Sequence, residues 1–496
     1  MENKQLIKFV LDGVIVEVPH AKATTTLLEY LREDQQCVGT KEGCAEGDCG
    51  ACTVVVGELD SDNQIAWKAV NSCIRFLPTL DGKEIITVNG LESASGQLHP
   101  VQQSMVDCHG SQCGFCTPGF VMSLFAQYLT NDGIPQNRDD ILNTLSGNLC
   151  RCTGYRPIIE AGLKVPTYPE PTHLSRRDAQ SFERIERLKN LKRQNSLELA
   201  NYKAPLSLSE FATEFEANPD ALILAGGTDV GLWVTKQLRV LPPMIYIGQV
   251  EELKSVRLEK DHLWIGAAVR LEEGFSALLN LYPQLQELHH RFASLPIRNS
   301  GTLCGNVANG SPIGDSMPAL IALNASVILR KGKQTRNLAL EDFYLGYQKK
   351  DLLPGEFVEA ISVPRPADNL KFALYKVAKR FDQDISAVCV GISMTMQDDK
   401  VTHARIAYGG MAATPKRATA VEKVLIGKVW SQALVKEAQE HLSEDFLPLT
   451  DMRASSNYRH AVAANLLTRF WHETQGQTVT RINQFKPITI IGSVAP

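Results

Sequence analysis

Cysteine thiolates bind soft metals, and their distribution along this chain of 496 residues is uneven: ten of the twelve lie within the first 152 positions, leaving only Cys304 and Cys389 beyond. A general structural need for sulfur would not be confined in this way. Cys44, Cys49 and Cys52 follow a C-x4-C-x2-C spacing, with Cys73 downstream. A [2Fe–2S] cluster needs four thiolates, and the plant-type arrangement takes three from one tight loop and the fourth from a distant segment. Gly43, Gly47 and Gly50 lie within that loop, where glycine lets the backbone wrap closely and aim N–H groups at sulfur. Zinc prefers paired C-x2–4-C knuckles, so iron–sulfur chemistry fits this set better. The second set is Cys113-x2-Cys116 and Cys150-x-Cys152. Two ligand pairs at helix ends could clamp one metal centre. Alone this set leaves zinc open; beside the first it points to a second [2Fe–2S] cluster, whose negative charge helix N-termini near Cys116 and Cys152 would favour.

Two further segments could hold a phosphate-bearing cofactor. LILAGGTDVG (222–231) reads as a strand ending in a glycine turn, which lets successive N–H groups approach a pyrophosphate. It is not a G-x-G-x-x-G motif, and alone it is weak. IRNSGTLCGNVANGSPIGDSMPAL (297–320) is rich in Gly, Asn and Ser around Asp315; it could equally be an ordinary loop.

The elements that must carry these residues begin with IKFVLDGVIVEV. Ile7, Phe9 and Leu11 share one face, Asp12-Gly13 is a hairpin turn, and Val14, Val16 and Val18 return. TTTLLEYLRE reads as a threonine-capped helix with Leu27, Leu28 and Leu31 apolar. TVVVGEL and ITVNGL read as strands. From about 95 to 165 the periodicity is helical, with Pro118 and Pro157 at helix starts and Asn137 ahead of Asp139 and Asp140. Residues 166–197 are proline-rich and then strongly charged, and read as a solvated connector separating two halves. Beyond it, strands (LILAGGTDVG, HLWIGAAV, ASVILRKG) alternate with helices, as in α/β or α+β domains. The expected division is 1–85, 86–165, a linker at 166–197, 198–370, 371–480 and a tail at 481–496.

A chain of this length exceeds one core. With 44% hydrophobic and 21% charged residues and a net charge of −4, it is ordinary in composition and gives no reason to expect nucleic-acid binding. No apolar run approaches the roughly 18 residues of a membrane span, and the start has no apolar export signal. The expected setting is cytoplasmic.

GCAEGDCGACTVVV, QCGFCTPGFVMS and LSGNLCRCTGYRPI resemble the iron–sulfur domains of the molybdenum hydroxylase family, and the two glycine-rich segments resemble its FAD-binding domain. The resemblance implies a multidomain α+β chain: a ferredoxin-like β-grasp [2Fe–2S] domain, a four-helix-bundle [2Fe–2S] domain, an FAD-binding α+β domain of the vanillyl-alcohol oxidase type, and a C-terminal α+β subdomain. It implies Cys44, Cys49, Cys52 and Cys73 as ligands of one cluster and Cys113, Cys116, Cys150 and Cys152 as ligands of the other. Cys37, Cys108, Cys304 and Cys389 match no ligand position and read as small buried side chains; Cys304 stands where the family often has glycine. For FAD the resemblance implies Leu224, Ala225, Gly226, Gly227, Thr228, Asp229, Val230 and Gly231 around the pyrophosphate. Thr302, Gly305, Asn306, Ser311 and Asp315 would hold the ribityl and adenosine portions. Phe292 and Val358 would line the cofactor, Lys376 would lie near the isoalloxazine, and residues 376–385 would form a loop affecting NAD access.

The family layout implies electrons arriving from a molybdopterin cofactor on a larger partner chain. They would pass through the Cys113 set, then the Cys44 set, to FAD and on to NAD. No general acid or base is needed. Both cluster domains joined to a flavin domain, with nothing following to hold molybdopterin, resemble bacterial xanthine dehydrogenase small subunits, implying a heterotetramer with two copies of each chain. The alternatives are the same relay serving an aldehyde or N-heterocycle hydroxylase, or a zinc-structured scaffold, which would be colourless rather than red-brown.

Overall fold

A computed structural model describes residues 5–93, 95–130 and 137–477; the expected tail at 481–496 lies outside them. The chain divides into two compact units, one comprising 1–311, 325–365 and 378–385, the other 312–324, 366–377 and 386–496.

The first unit opens with the expected hairpin. Ile7–Leu11 pairs antiparallel with Val14–Val18, and the turn is tight because Asp12 and Gly13 both take positive φ (48° and 86°). A five-stranded sheet follows in the order Val14–Val18, Ile7–Leu11, Glu84–Ile86, Thr53–Leu59, Ile65–Asn71. One pair is parallel, Ile7–Leu11 with Glu84–Ile86. The helix across this sheet starts at a Thr26–Glu29 capping box and widens into a π turn over Tyr30–Asp34. ITVNGL is not a continuous strand: the ladder ends at Ile86 and Val88–Leu91 forms a 3-10 turn. Asp12 captures the Thr87 N–H and hydroxyl, both at 2.7 Å, and so stops the strand there.

The helices Pro100–Asp107, Thr117–Leu129, Arg138–Thr144 and Arg156–Lys164 form the next layer. Thr117–Leu129 is apolar nearly all round because it is central: Phe120, Met122 and Phe125 share one core with Val10, Val55 and Trp67 of the sheet. The two cysteine-bearing modules therefore pack as one body.

Residues 166–197 do connect, but they are not the solvated connector their charge suggests. Leu174, Ala179 and Leu188 enter the same core. Gln180 Nε2 donates to Ile65 O at 2.7 Å, and Arg184 pairs with the fully buried Glu84. Arg193 Nη2 donates to Asp81 Oδ1 at 2.9 Å. At Arg184 and Arg193 charge marks buried partners rather than water, because each meets an acid whose desolvation it offsets, while Glu183, Lys189 and Lys192 remain exposed.

Among the described residues, the rest of the first unit holds two larger sheets besides the small hairpin of Tyr344–Gly346 with Lys349–Lys350. One has the order Leu197–Leu199, Tyr202–Ala204, Met244–Tyr246, Leu222–Leu224; the other, all antiparallel, runs Val256–Leu258, His262–Gly266, Phe357–Pro364, Ser326–Lys331, Gln334–Ala339. In the second unit, Lys371–Val377, Val388–Gln397, Lys400–Gly409 and Lys416–Arg417 form an antiparallel sheet. The helix Ser316–Ala322 lies against it with every residue buried. Chain order alone would group that helix with the flavin half. A Cβ on Gly391 would stand 2.5 Å from Pro318 O, a closeness that seats the helix on this sheet instead. Among the described residues no helix is long and apolar enough to cross a membrane.

Candidate functional site

The first cysteine set converges as its spacing predicts. Cys73 sits in the turn Ser72–Ile74, brought to Cys52 by the Ser72 hydroxyl donating to Cys52 O at 2.7 Å. Hydrogen bonds from Cys49 and Cys73 hold the Cys44 thiol well below its usual range, and the same contacts push Cys49 and Cys73 up. Four sulfurs are therefore within reach of one another. Backbone donors are aimed at them: the N–H groups of Asp48 and Cys49 reach Cys44 Sγ at 3.4 and 3.3 Å, and the Cys44 N–H reaches Cys49 Sγ at 3.3 Å. Asn71 Nδ2 lies 3.9 Å from Cys52 Sγ. Such donors stabilise thiolate charge and tune the metal centre. A Cβ on Gly43 would lie 2.7 Å from Cys49 Sγ, so glycine there is a steric necessity.

In the second set all four thiols are free; the Cys113 thiol lies under the influence of Cys152, and Cys116 under that of Cys150. Cys116 caps the helix Thr117–Leu129; Cys152 stands ahead of Arg156–Lys164, whose cap Tyr155 holds φ 68° while its hydroxyl accepts the Cys150 N–H at 3.0 Å. The Thr153 hydroxyl lies 3.2 Å from Cys150 Sγ. Cys113 and Cys152 are exposed, whereas Cys52 and Cys73 are buried. Exposed Phe115, Leu149 and Tyr155 accompany the open set. Four free thiols in each set are the donors that two irons bridged by sulfide take, so the donor chemistry fits clusters.

The two sets meet through backbone. The Leu149 N–H donates to Cys49 O at 3.0 Å, and Asn148 Nδ2 donates to Gly50 O at 3.2 Å while Ser123 holds Asn148 Oδ1 at 2.6 Å. Each of these partners, Cys49, Gly50, Asn148 and Leu149, is a ligand position or stands within two residues of one.

The glycine turn lies on the other side of the first set. Leu222–Leu224 ends at Gly226 and Gly227 (φ 73°), and the helix Val230–Thr235 follows. Among the described residues the N–H groups of Gly226, Gly227 and Thr228 have no protein acceptor, as a phosphate cradle requires. A Cβ on Gly226 would stand 2.2 Å from Ser300 O, so this turn touches the second glycine-rich segment. There Thr302 caps Leu303–Asn309 through the Gly305 N–H at 3.0 Å, and Asn309 bonds the exposed Asp229. Asn306 and Ser311 are half-buried on that same stretch. Cys304 is accommodated as an ordinary helical residue, its thiol reaching Ile265 O at 3.5 Å. Phe292 is buried against Phe275, and Val358 is buried on its strand. In the second unit Lys376 Nζ donates to Asp315 Oδ2 at 2.6 Å, and Asp315 Oδ1 is buried without a partner, ready for a donor.

The halves expected to be kept apart by the linker touch directly. A Cβ on Gly231 would lie 2.7 Å from Ile74 O, beside Cys73, and Thr235 Oγ1 donates to Ala45 O at 2.7 Å. Ile74, Leu232 and Ile297 form a small apolar cluster with Cys52 and Cys73. Sequence reasoning missed Ile74, Asn148 and Thr153, although Ile74 and Thr153 directly follow Cys73 and Cys152. Gly226→Ala is therefore expected to release FAD, read as lost flavin absorbance per chain, while iron content stays. Only the Cys44-set signal should be perturbed, since only that set abuts the turn. Retained flavin would count against the cradle.

Four family descriptions match in order: "2Fe-2S iron-sulfur cluster binding domain" over 9–77, "[2Fe-2S] binding domain" over 87–163, "FAD binding domain in molybdopterin dehydrogenase" over 195–366, and "CO dehydrogenase flavoprotein C-terminal domain" over 373–474. Xanthine dehydrogenase 2 of Arabidopsis thaliana is 32% identical over 90% of this chain, and xanthine dehydrogenase of Drosophila subobscura is 32% identical over 93%. The chain spans 38% of each of these relatives. Among solved structures, carbon monoxide dehydrogenase from Hydrogenophaga pseudoflava is similar over 54% of this chain and 94% of that one (29% identity, TM-score 0.51). Quinoline 2-oxidoreductase from Pseudomonas putida 86 is similar over 55% and 96% (26% identity, TM-score 0.50). With two iron–sulfur domains, an FAD-binding domain and a flavoprotein C-terminal domain in sequence, the chain belongs to the molybdenum hydroxylase family, of which it carries the electron-transfer domains.

Proposed function

We propose that this chain is the electron-transfer part of a xanthine dehydrogenase, receiving electrons from a molybdopterin cofactor on a larger partner chain and delivering them to NAD in the cytoplasm. The observation that carries this reading is serial contact: the Cys113/Cys116/Cys150/Cys152 set meets the first set through Leu149 and Cys49, and the first set meets the glycine turn through Ile74 and Gly231. When bound, clusters carry single electrons and flavin gathers two for hydride transfer. The chain's own residues hold and shield. Cys44, Cys49, Cys52 and Cys73 retain the inner cluster, with Cys52 and Cys73 buried and Cys44 and Cys49 half-buried. The stretch Leu224–Gly231 cradles the flavin pyrophosphate, Thr302, Gly305, Asn306 and Ser311 bind its remainder, and Phe292 and Val358 line it. Within the second unit, Lys376 holds the Asp315 carboxylate oriented. The exposed Cys113, Cys152, Phe115, Leu149 and Tyr155 suit a surface covered by the molybdenum chain, in a heterotetramer with two copies of each. The named xanthine dehydrogenase relatives support the substrate. A second reading, the same relay serving carbon monoxide or an N-heterocycle, is favoured by the solved structures it resembles.

The test is to purify the chain with its partner. About four irons and about four acid-labile sulfides per chain are expected, with one FAD and xanthine-dependent NADH formation. Stoichiometric zinc with little iron would overturn the relay, and turnover of another heterocycle but not xanthine would overturn the substrate.

A further inference from the structure

The stretch Ala378–Ile385 belongs to the first unit and carries Gln383 at positive φ (51°). The Gln383 side chain reaches both cysteine loops: Nε2 donates to Asp48 O at 3.3 Å and Oε1 accepts the Gly147 N–H at 2.6 Å. Only this orientation of the amide matches donor to acceptor at both ends. The contact extends the seam between the two sets, in which Leu149 N–H meets Cys49 O and Asn148 meets Gly50 O.

Asp48 O is not an arbitrary acceptor. It belongs to the Asp48–Cys49 peptide, whose N–H donates to Cys44 Sγ at 3.3 Å. A hydrogen bond received at a peptide oxygen polarises that peptide and strengthens its N–H as a donor. The chain of contacts therefore runs from the Gln383 amide, through one peptide group, to a sulfur of the inner set. The stretch that presents Gln383 is itself pinned. Arg291 is buried, its Nε donates to Phe381 O at 2.8 Å and its guanidinium lies 5.3 Å from the Phe381 ring centroid. Arg380 bonds Gln383 O at 3.2 Å and takes Asp384 Oδ2 through its own N–H at 2.9 Å.

We propose that Gln383 is a positioning residue for the inner [2Fe–2S] cluster, raising its reduction potential through the Asp48–Cys49 peptide and tying that potential to the position of the 378–385 stretch. The sign follows from charge: an N–H aimed at sulfur stabilises the more negative, reduced state, so losing its polarisation lowers the potential. Gly147 N–H donates to no ligand sulfur, so the outer cluster feels no equivalent path. The inference rests on the assignment of Cys44 as a cluster ligand.

The test is a redox titration of the intact complex followed by paramagnetic resonance, with the two signals assigned through Cys150→Ser, which disturbs the outer cluster alone. Gln383→Leu removes both contacts. Gln383→Glu keeps an acceptor for Gly147 but sets a carboxylate oxygen against Asp48 O. Both variants should move the inner-cluster potential to a more negative value, by up to about 59 mV or a tenfold change in its one-electron equilibrium, with Glu at least as effective as Leu. The outer potential should stay where it is. An unmoved inner potential in both variants, or equal movement of both clusters, would overturn the proposal. Absence of any [2Fe–2S] signal in the unaltered complex would instead overturn the ligand assignment beneath it.

Discussion

If the chain serves xanthine oxidation with NAD as proposed, Cys113→Ser is expected to abolish xanthine-dependent NAD reduction by the complex while leaving NADH–dye activity near its original level. The reason is position. Cys113 belongs to the exposed set, beyond the inner set as seen from the glycine turn, so its loss severs entry of electrons without touching the flavin cradle. Loss of a direct ligand should exceed the roughly 10–100-fold cost of altering a ligand's hydrogen-bonding partner. Steady-state assays with the two donors separate the cases. Equal loss of both activities with flavin still bound would refute the serial order, as would xanthine oxidation by this chain without its partner.

Gly50→Ala is expected to be the most damaging single methyl in the iron–sulfur half. Gly50 sits at φ 70°, and a Cβ there would stand 2.1 Å from Gly147 O and 2.5 Å from Asn148 Nδ2. The left-handed backbone alone costs about 1–2 kcal/mol for a residue with a side chain. The overlap with backbone cannot be relieved by a rotamer change, so the total should reach at least about 3 kcal/mol. The seam must open, and with it the Leu149–Cys49 and Asn148–Gly50 hydrogen bonds. Thermal unfolding should fall markedly, and both paramagnetic signals should broaden or be lost. Gly13→Ala is the control: that glycine also has positive φ but no atom within 4 Å of a Cβ and stands away from both cysteine sets, so it should carry the backbone cost only. Equal effects of the two substitutions would show that the seam contact contributes nothing.

What the sequence by itself determined were features closed within short stretches. Three thiols in nine residues, two pairs at x2 and x1 spacing, the Asp12-Gly13 turn, the prolines at helix starts and the Gly226-Gly227 turn each carry their geometry locally, because tight turns and caps depend on neighbours a few residues away. The four-domain order was legible for the same reason. What only the tertiary structure decided lies between segments far apart in the chain. Arg184 reads as a solvated charge until Glu84 is seen buried beneath it. Pro312–Asn324 reads as part of the flavin half until Gly391 makes room for its helix. The linker reads as a spacer, yet Thr235 bonds Ala45 and the halves are continuous. Gln383 carries no signal at all in sequence, since a lone glutamine in a charged loop is commonplace. Its meaning comes from Asp48 and Gly147, hundreds of positions away. Periodicity and spacing encode the faces an element can bury, whereas which faces meet is settled by the packing of the whole chain.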